Sequence, residues 1–146
     1  MYQLKRGPYQ QDDTLFRFTL ALKEVGQLSV PYMSDLSIAP DGSFLVCAGY
    51  GSGLMVIDLE KFELRKELRN QENYCMAVVD GKHRIWVANR GYFECWSSDL
   101  EPLSRHRFAG DIVDHTLNQS GEVCLATHQQ SKHQTRVYRF YGKDSR

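Results

Sequence analysis

The sequence has 146 residues, 18 Lys+Arg against 18 Asp+Glu, a formal net charge of zero, 42% hydrophobic residues and 25% charged ones. That length suits one domain with a real core, and the composition excludes a disordered chain. Balanced charge excludes the strong basic excess of a typical nucleic-acid-binding domain, although the C-terminal third is mildly basic and the middle acidic.

No apolar run reaches the ~20 residues of a membrane helix. The opening "MYQLKRGPYQQDD" lacks the apolar core of a secretory signal. Cys47, Cys75, Cys95 and Cys124 match no zinc spacing and sit in apolar stretches, so they read as buried free thiols. The expectation is a cytoplasmic protein with no membrane contact and no cofactor.

In chain order, residues 14–30, "TLFRFTLALKEVGQLSV", read as one or two strands. Two apolar runs joined by Asp41-Gly42 follow in "LSIAPDGSFLVCAG". The next stretch, "AGYGSGLMVIDL", places glycines at 49, 51 and 53. A phosphate loop needs such glycines to lead into a helix whose first amides face the anion, usually with Gly-Lys-Ser/Thr. Here they lead into "LMVIDL", a strand, so the glycines predict a hairpin corner. Residues 63–70, "ELRKELRN", read as a charged outer strand, with a helix over 58–70 as the alternative.

The pattern then repeats. "CMAVVDGKHRIWVAN" and "HTLNQSGEVCLAT" each hold an apolar run, a turn pair ending in glycine, and a second run reaching an alanine. The turn pairs are Asp41-Gly42, Asp80-Gly81 and Ser120-Gly121, and the alanines are Ala48, Ala88 and Ala126. Asp-Gly and Ser-Gly tolerate the positive φ of tight hairpins. An alanine recurring at one strand position marks a place where neighbouring sheets crowd together. Third strands follow at 54–59, 92–100 and 136–142, and a charged fourth strand at 103–110.

A four-stranded antiparallel unit recurring about every 40 residues is the sequence signature of a propeller blade. With "APDG" at 39–42, and weaker matches in "VVDG" and "NQSG", the chain resembles the WD-repeat and related β-propellers. The Trp-Asp and Gly-His pairs of the WD repeat are absent: Ile57-Asp58 stands at the first, and Trp96 precedes Ser97. The resemblance implies an all-β fold, a partial β-propeller of about 3 to 3.5 blades. Its expected divisions are N-terminal strands in 1–32 that close or extend a blade, blades at 33–72 and 73–110, and an incomplete blade at 111–146. In this reading, 14–30 supplies the outer strand that the last blade lacks.

Too few blades are present to close a ring, so the expected function is a non-enzymatic interaction or scaffold module. Its ring would be completed by homo-oligomerisation or by a partner chain. The expected partner is therefore protein, the chain itself or another, with no nucleic acid and no membrane; no small-molecule ligand is named by the pattern. Asp35, Asn73, Asp114 and His115 fall at or near the starts of inner strands, where side chains line a channel or its rim. In gluconolactonase-like propellers, carboxylates and amides at such positions hold a divalent metal. The resemblance thus implies a metal-dependent hydrolase or lactonase as the alternative. Arg136, Tyr138, Arg139 and Tyr141 combine interface-forming residue types on a predicted unpaired strand, the candidate docking edge. His128 and His133 read as solvated loop residues, and Ser52 lacks the setting of a nucleophile.

Overall fold

A computed structural model describes residues 2–5, 13–19, 21, 23–30, 33–69, 73–89, 91–117 and 122–140. Strands β1 (Tyr2–Lys5), β2 (Asp13–Phe18) and β3 (Glu24–Val30) pair in that order as a first sheet. The second sheet runs β4 (Asp35–Ile38), β5 (Phe44–Gly49), β6 (Gly53–Asp58), β7 (Glu63–Leu68). The third runs β8 (Met76–Val79), β9 (Ile85–Asn89), β10 (Tyr92–Trp96), β11 (Pro102–Arg107). The fourth contains β12 (Asp111–Leu117), β13 (Val123–Gln129) and β14 (Gln134–Phe140). Every pairing is antiparallel between consecutive strands.

Three apolar clusters join the four sheets in a row. Leu15, Leu28 and Val30 meet Leu45, Cys47, Met55 and Ile57 between the first and second sheets. Phe44, Val46, Ala48, Leu54 and Val56 meet Ala77, Val79, Ile85 and Val87 between the second and third. Met76, Trp86, Ala88, Phe93 and Cys95 meet Ile112, Val123 and Tyr138 between the third and fourth. Strand residues point alternately to the two faces, so a strand apolar at every position serves two neighbours at once. This is why "FLVCAG" and "IWVAN" are continuous rather than alternating, and why all their residues are buried.

Turn chemistry follows the sequence at one site and departs from it at another. Gly42 has φ +73° and donates to Ala39 O at 2.8 Å, while Asp41 Oδ1 accepts from Ser43 N and Oγ. In the second repeat the positive φ falls on His83 (61°), not on Gly81. Asp80 draws that turn around itself: Oδ1 accepts from Lys82 N and Arg84 N, and Oδ2 from Arg84 Nε and Trp86 Nε1. The third turn pair, Ser120-Gly121, lies outside the described residues.

Gly51 and Gly53 take φ +67° and +78° and return the chain into β6, which makes the glycine stretch a hairpin corner. Residues 63–68 form a strand, not a helix. Segment 14–30 does not join the last sheet: β2 pairs with β1 and β3, and the apolar side of this sheet lies against the second sheet. Only two of the four cysteines are buried. Cys47 and Cys95 lie in the clusters, Cys75 is exposed just ahead of β8, and Cys124 is half-buried.

Candidate interaction surfaces

Strand β4 carries Asp35 and Ser37, and β12 carries Asp111, Asp114, His115 and Thr116, whereas β8 is apolar throughout. Backbone groups at sheet edges need partners, and strands of separate sheets do not form a continuous ladder. Side chains of β4 supply the link. Asp35 Oδ2 accepts from Ala77 N at 2.9 Å, and Ser37 Oγ accepts from Val79 N at 3.0 Å. Asp35 Oδ2 also faces His115 Nε2 at 3.3 Å, so one carboxylate ties together strands of three sheets.

Asp114 lies on the opposite face of β12, exposed, its Oδ1 accepting from His115 N at 2.8 Å. Asn73 lies just ahead of β8, is exposed and bridges Tyr50. Among the described residues no three His, Cys, Asp or Glu side chains converge.

The registers expose a second surface. Ala48 pairs with Leu54, Ala88 with Phe93, and Ala126 with Val137. The first two pairs are fully buried against the next sheet, whereas Val137 is 73% exposed. The uncovered face of the fourth sheet presents Ala126, Cys124, Val137 and Asp114 around a cavity of about 130 Å³. Among the described residues β14 is also an edge strand. Its Arg136 and Arg139 are exposed, and Tyr138 is half-buried because it packs back onto the third sheet. Tyr141 lies outside the described residues.

A third feature has no counterpart among the expected site residues. Glu94 is almost wholly buried on the face of β10 that looks toward the second sheet. Its Oε2 accepts from Tyr74 Oη at 3.0 Å and Trp96 Nε1 at 3.2 Å, and its Oε1 meets Arg105 Nε at 3.0 Å. Arg105 lies 3.9 Å from the centre of the Tyr92 ring. Beside this cluster opens a cleft of about 400 Å³, lined by Tyr74, Glu94, Trp96, Pro102, Leu103, Ser104 and Arg105. A lone acid inside the apolar, aromatic run "YFECW" was the available signal.

No family model and no curated protein matches the sequence. Solved structures do. BamB from Moraxella catarrhalis superimposes with a TM-score of 0.66 at 10% identity, over 86% of this chain and 42% of that one. The Cps50 (Swd1) β-propeller domain of Myceliophteria thermophila gives 0.63 at 14%, over 89% and 50%. The Neurospora crassa Pan2 WD40 domain gives 0.61 at 15%, over 86% and 41%. At such identities the likeness shows the fold alone. The chain is an all-β partial propeller with WD-repeat-like blades. It spans half or less of the length of these structures.

Proposed function

We propose that this chain is a non-enzymatic protein–protein interaction module whose propeller ring is completed by further blades, from a second copy or a partner chain. The observation that carries the reading is the unequal fate of equivalent positions. Leu54 and Phe93 are fully buried under the next sheet, while Val137, at the same register, is 73% exposed. Propellers close with about four to eight blades, and four sheets in a row leave two outward faces unless the row bends into a complete ring. On this reading the strands of 1–32 extend the row, 33–72 and 73–110 are full blades, and 111–146 is an incomplete one. Arg136 and Arg139 on β14 then flank the joining face, while Asp35 and His115 brace the inner strands.

Light scattering on the eluting full chain tests the reading. The expected species is heavier than one chain, and Val137→Glu returns it to single-chain mass, since a carboxylate buried in a joint is strongly disfavoured. A stable single-chain species that stays monomeric when mixed with candidate partners overturns the reading.

A further inference from the structure

We propose that Asp114 and Thr116 on β12 accept two backbone N–H groups from the innermost strand of a further blade, and that this blade belongs to a partner chain rather than to a second copy. The inference rests on the reading above, that further blades complete the ring, and it names what the joining blade offers.

The first ground is a pair of positions repeated between sheets. In the second sheet Asp35 lies opposite Ala48 and Ser37 opposite Val46. In the fourth, Asp114 lies opposite Ala126 and Thr116 opposite Cys124. Counted from the aligned alanines 48 and 126, "DLS" and "DHT" therefore hold one place in two blades. A local bond repeats as well. Asp35 Oδ1 accepts from Leu36 N at 2.9 Å, and Asp114 Oδ1 from His115 N at 2.8 Å. In the second sheet the other two acceptors serve the neighbour: Asp35 Oδ2 takes Ala77 N and Ser37 Oγ takes Val79 N, both on the inner strand of the next sheet. Asp114 and Thr116 are exposed, beside the uncovered Val137 and a half-buried Ala126, whereas Ala48 is 0% exposed under its neighbour.

The second ground is strand geometry. Side chains on one face and amides on one edge both recur every second residue, about 6.5–7 Å along a strand. Acceptors at i and i+2 on one inner strand thus match amides at j and j+2 on the next. Those amides point away from their own sheet, and a joint that buries them must supply partners. The third sheet is the contrast. Its residues at the same places, opposite Ala88 and Trp86, are Met76 and Val78, which bring no oxygen acceptor. The blade plan itself does not demand the acid and the hydroxyl.

The third ground decides the occupant. Ala77 and Val79 donate through their backbone while their side chains pack with Ile85 and Val87 against the second sheet. The joining blade accordingly has a hairpin with small or aliphatic residues at both donating positions, and no proline there, since proline has no N–H. A second copy does not offer such a strand at the head of its row. Outer strands β7 and β11 lead into the inner strands β8 and β12 of the following sheets, and β3 leads into β4 in the same way. β3 is therefore the outer strand of the first sheet and β1 holds the place of β5 and β9. The inner place beside β1 holds no strand among the described residues.

The test uses the full chain and a fluorescein-labelled, backbone-cyclised hairpin copying residues 75–89 with Cys75→Ser. This probe presents Ala77 N, Val79 N and the apolar face that covers the second sheet. Anisotropy is expected to saturate. N-methylation of the probe at Ala77 and Val79 removes the two donors, which in the chain serve β4 and not β9. It should weaken binding about tenfold or more, as should Asp114→Ala combined with Thr116→Val. Thr116→Ser keeps a hydroxyl like that of Ser37 and should bind as the parent chain does. The altered side chains are exposed, and circular dichroism checks that the fold is kept. Failure to saturate, or indifference either to N-methylation or to the double variant, overturns the inference. If the double variant disperses a heavy species of the pure chain, the occupant is a second copy, which overturns it too. A heavy species that Val137→Glu disperses, with a hairpin that does not bind, leaves the interaction module standing and overturns this inference alone.

Discussion

The third and fourth sheets follow one strand plan but live in different surroundings. In the third, Met76, Trp86, Ala88, Phe93 and Cys95 face the fourth sheet, while Ala77, Val79, Ile85 and Val87 face the second. In the fourth, Val123, Ile112 and Tyr138 are covered, while Val137 and Arg139 on the other side are exposed. The same hairpin geometry therefore yields a core in one place and a surface in the other. Whether a strand residue supports the fold or is available for contact depends on what its sheet has next to it.

The sharpest way to break this comparison is to remove large side chains at matched depths. Trp86→Ala should cost about 3–5 kcal/mol in urea unfolding, because it opens a cavity and takes a donor from Asp80. Val137→Ala should stay within about 0.5 kcal/mol in the dissociated chain. Equal losses would mean that the two faces are equally covered.

Next in size is the Asp80 turn. Burial alone would raise this carboxyl, but hydrogen bonds from Trp86, Arg84 and Lys82 outweigh it and hold the group below its ordinary value. A carboxylate depressed in the folded state stabilises the fold above its unfolded pKa of 3.8, and that stability is lost as pH falls through the lower, folded value. Asp80→Asn should cost about 1–3 kcal/mol at neutral pH and should flatten the fall in melting temperature below pH 4. An unchanged acid profile would show that the turn is held otherwise.

Thiol reactivity sharpens the contrast without altering the fold. Burial pushes the Cys47 and Cys95 thiols up to about 12. At pH 8 both should resist iodoacetamide, read by mass spectrometry, while exposed Cys75 and half-buried Cys124 are alkylated first. Protection of Cys124 in the assembled species and its release by Val137→Glu would tie reactivity to the joining face.

The smallest effect should come from Arg65 and Asp99, whose ion pair bridges the second and third sheets at the surface. Arg65→Ala should change stability by about 0–1 kcal/mol, less in high salt.

Blade architecture was legible because each blade obeys local rules. Glycine at 42, 51 and 53 takes the positive φ its hairpin requires, and the repeated apolar runs become β5, β9 and β13. Asp35 and His115 lie in β4 and β12 and meet at 3.3 Å, a contact between sheets that no local pattern shows. Asn73 lies just ahead of β8, and its bridge to Tyr50 is a contact between sheets that no local pattern shows. Strand β1 was missed, being four residues long and rich in polar side chains.

The sequence by itself determined the strands, their corners and their repetition, since hairpin pairing and alternation are decided by residues a few positions apart. Only the tertiary structure decided which face of each sheet is covered, that Asp35 spans three sheets, and that Glu94 sits buried with Arg105 held beside it. Those outcomes depend on residues 11 to 80 positions apart in the chain, whose contacts arise only when the sheets stack.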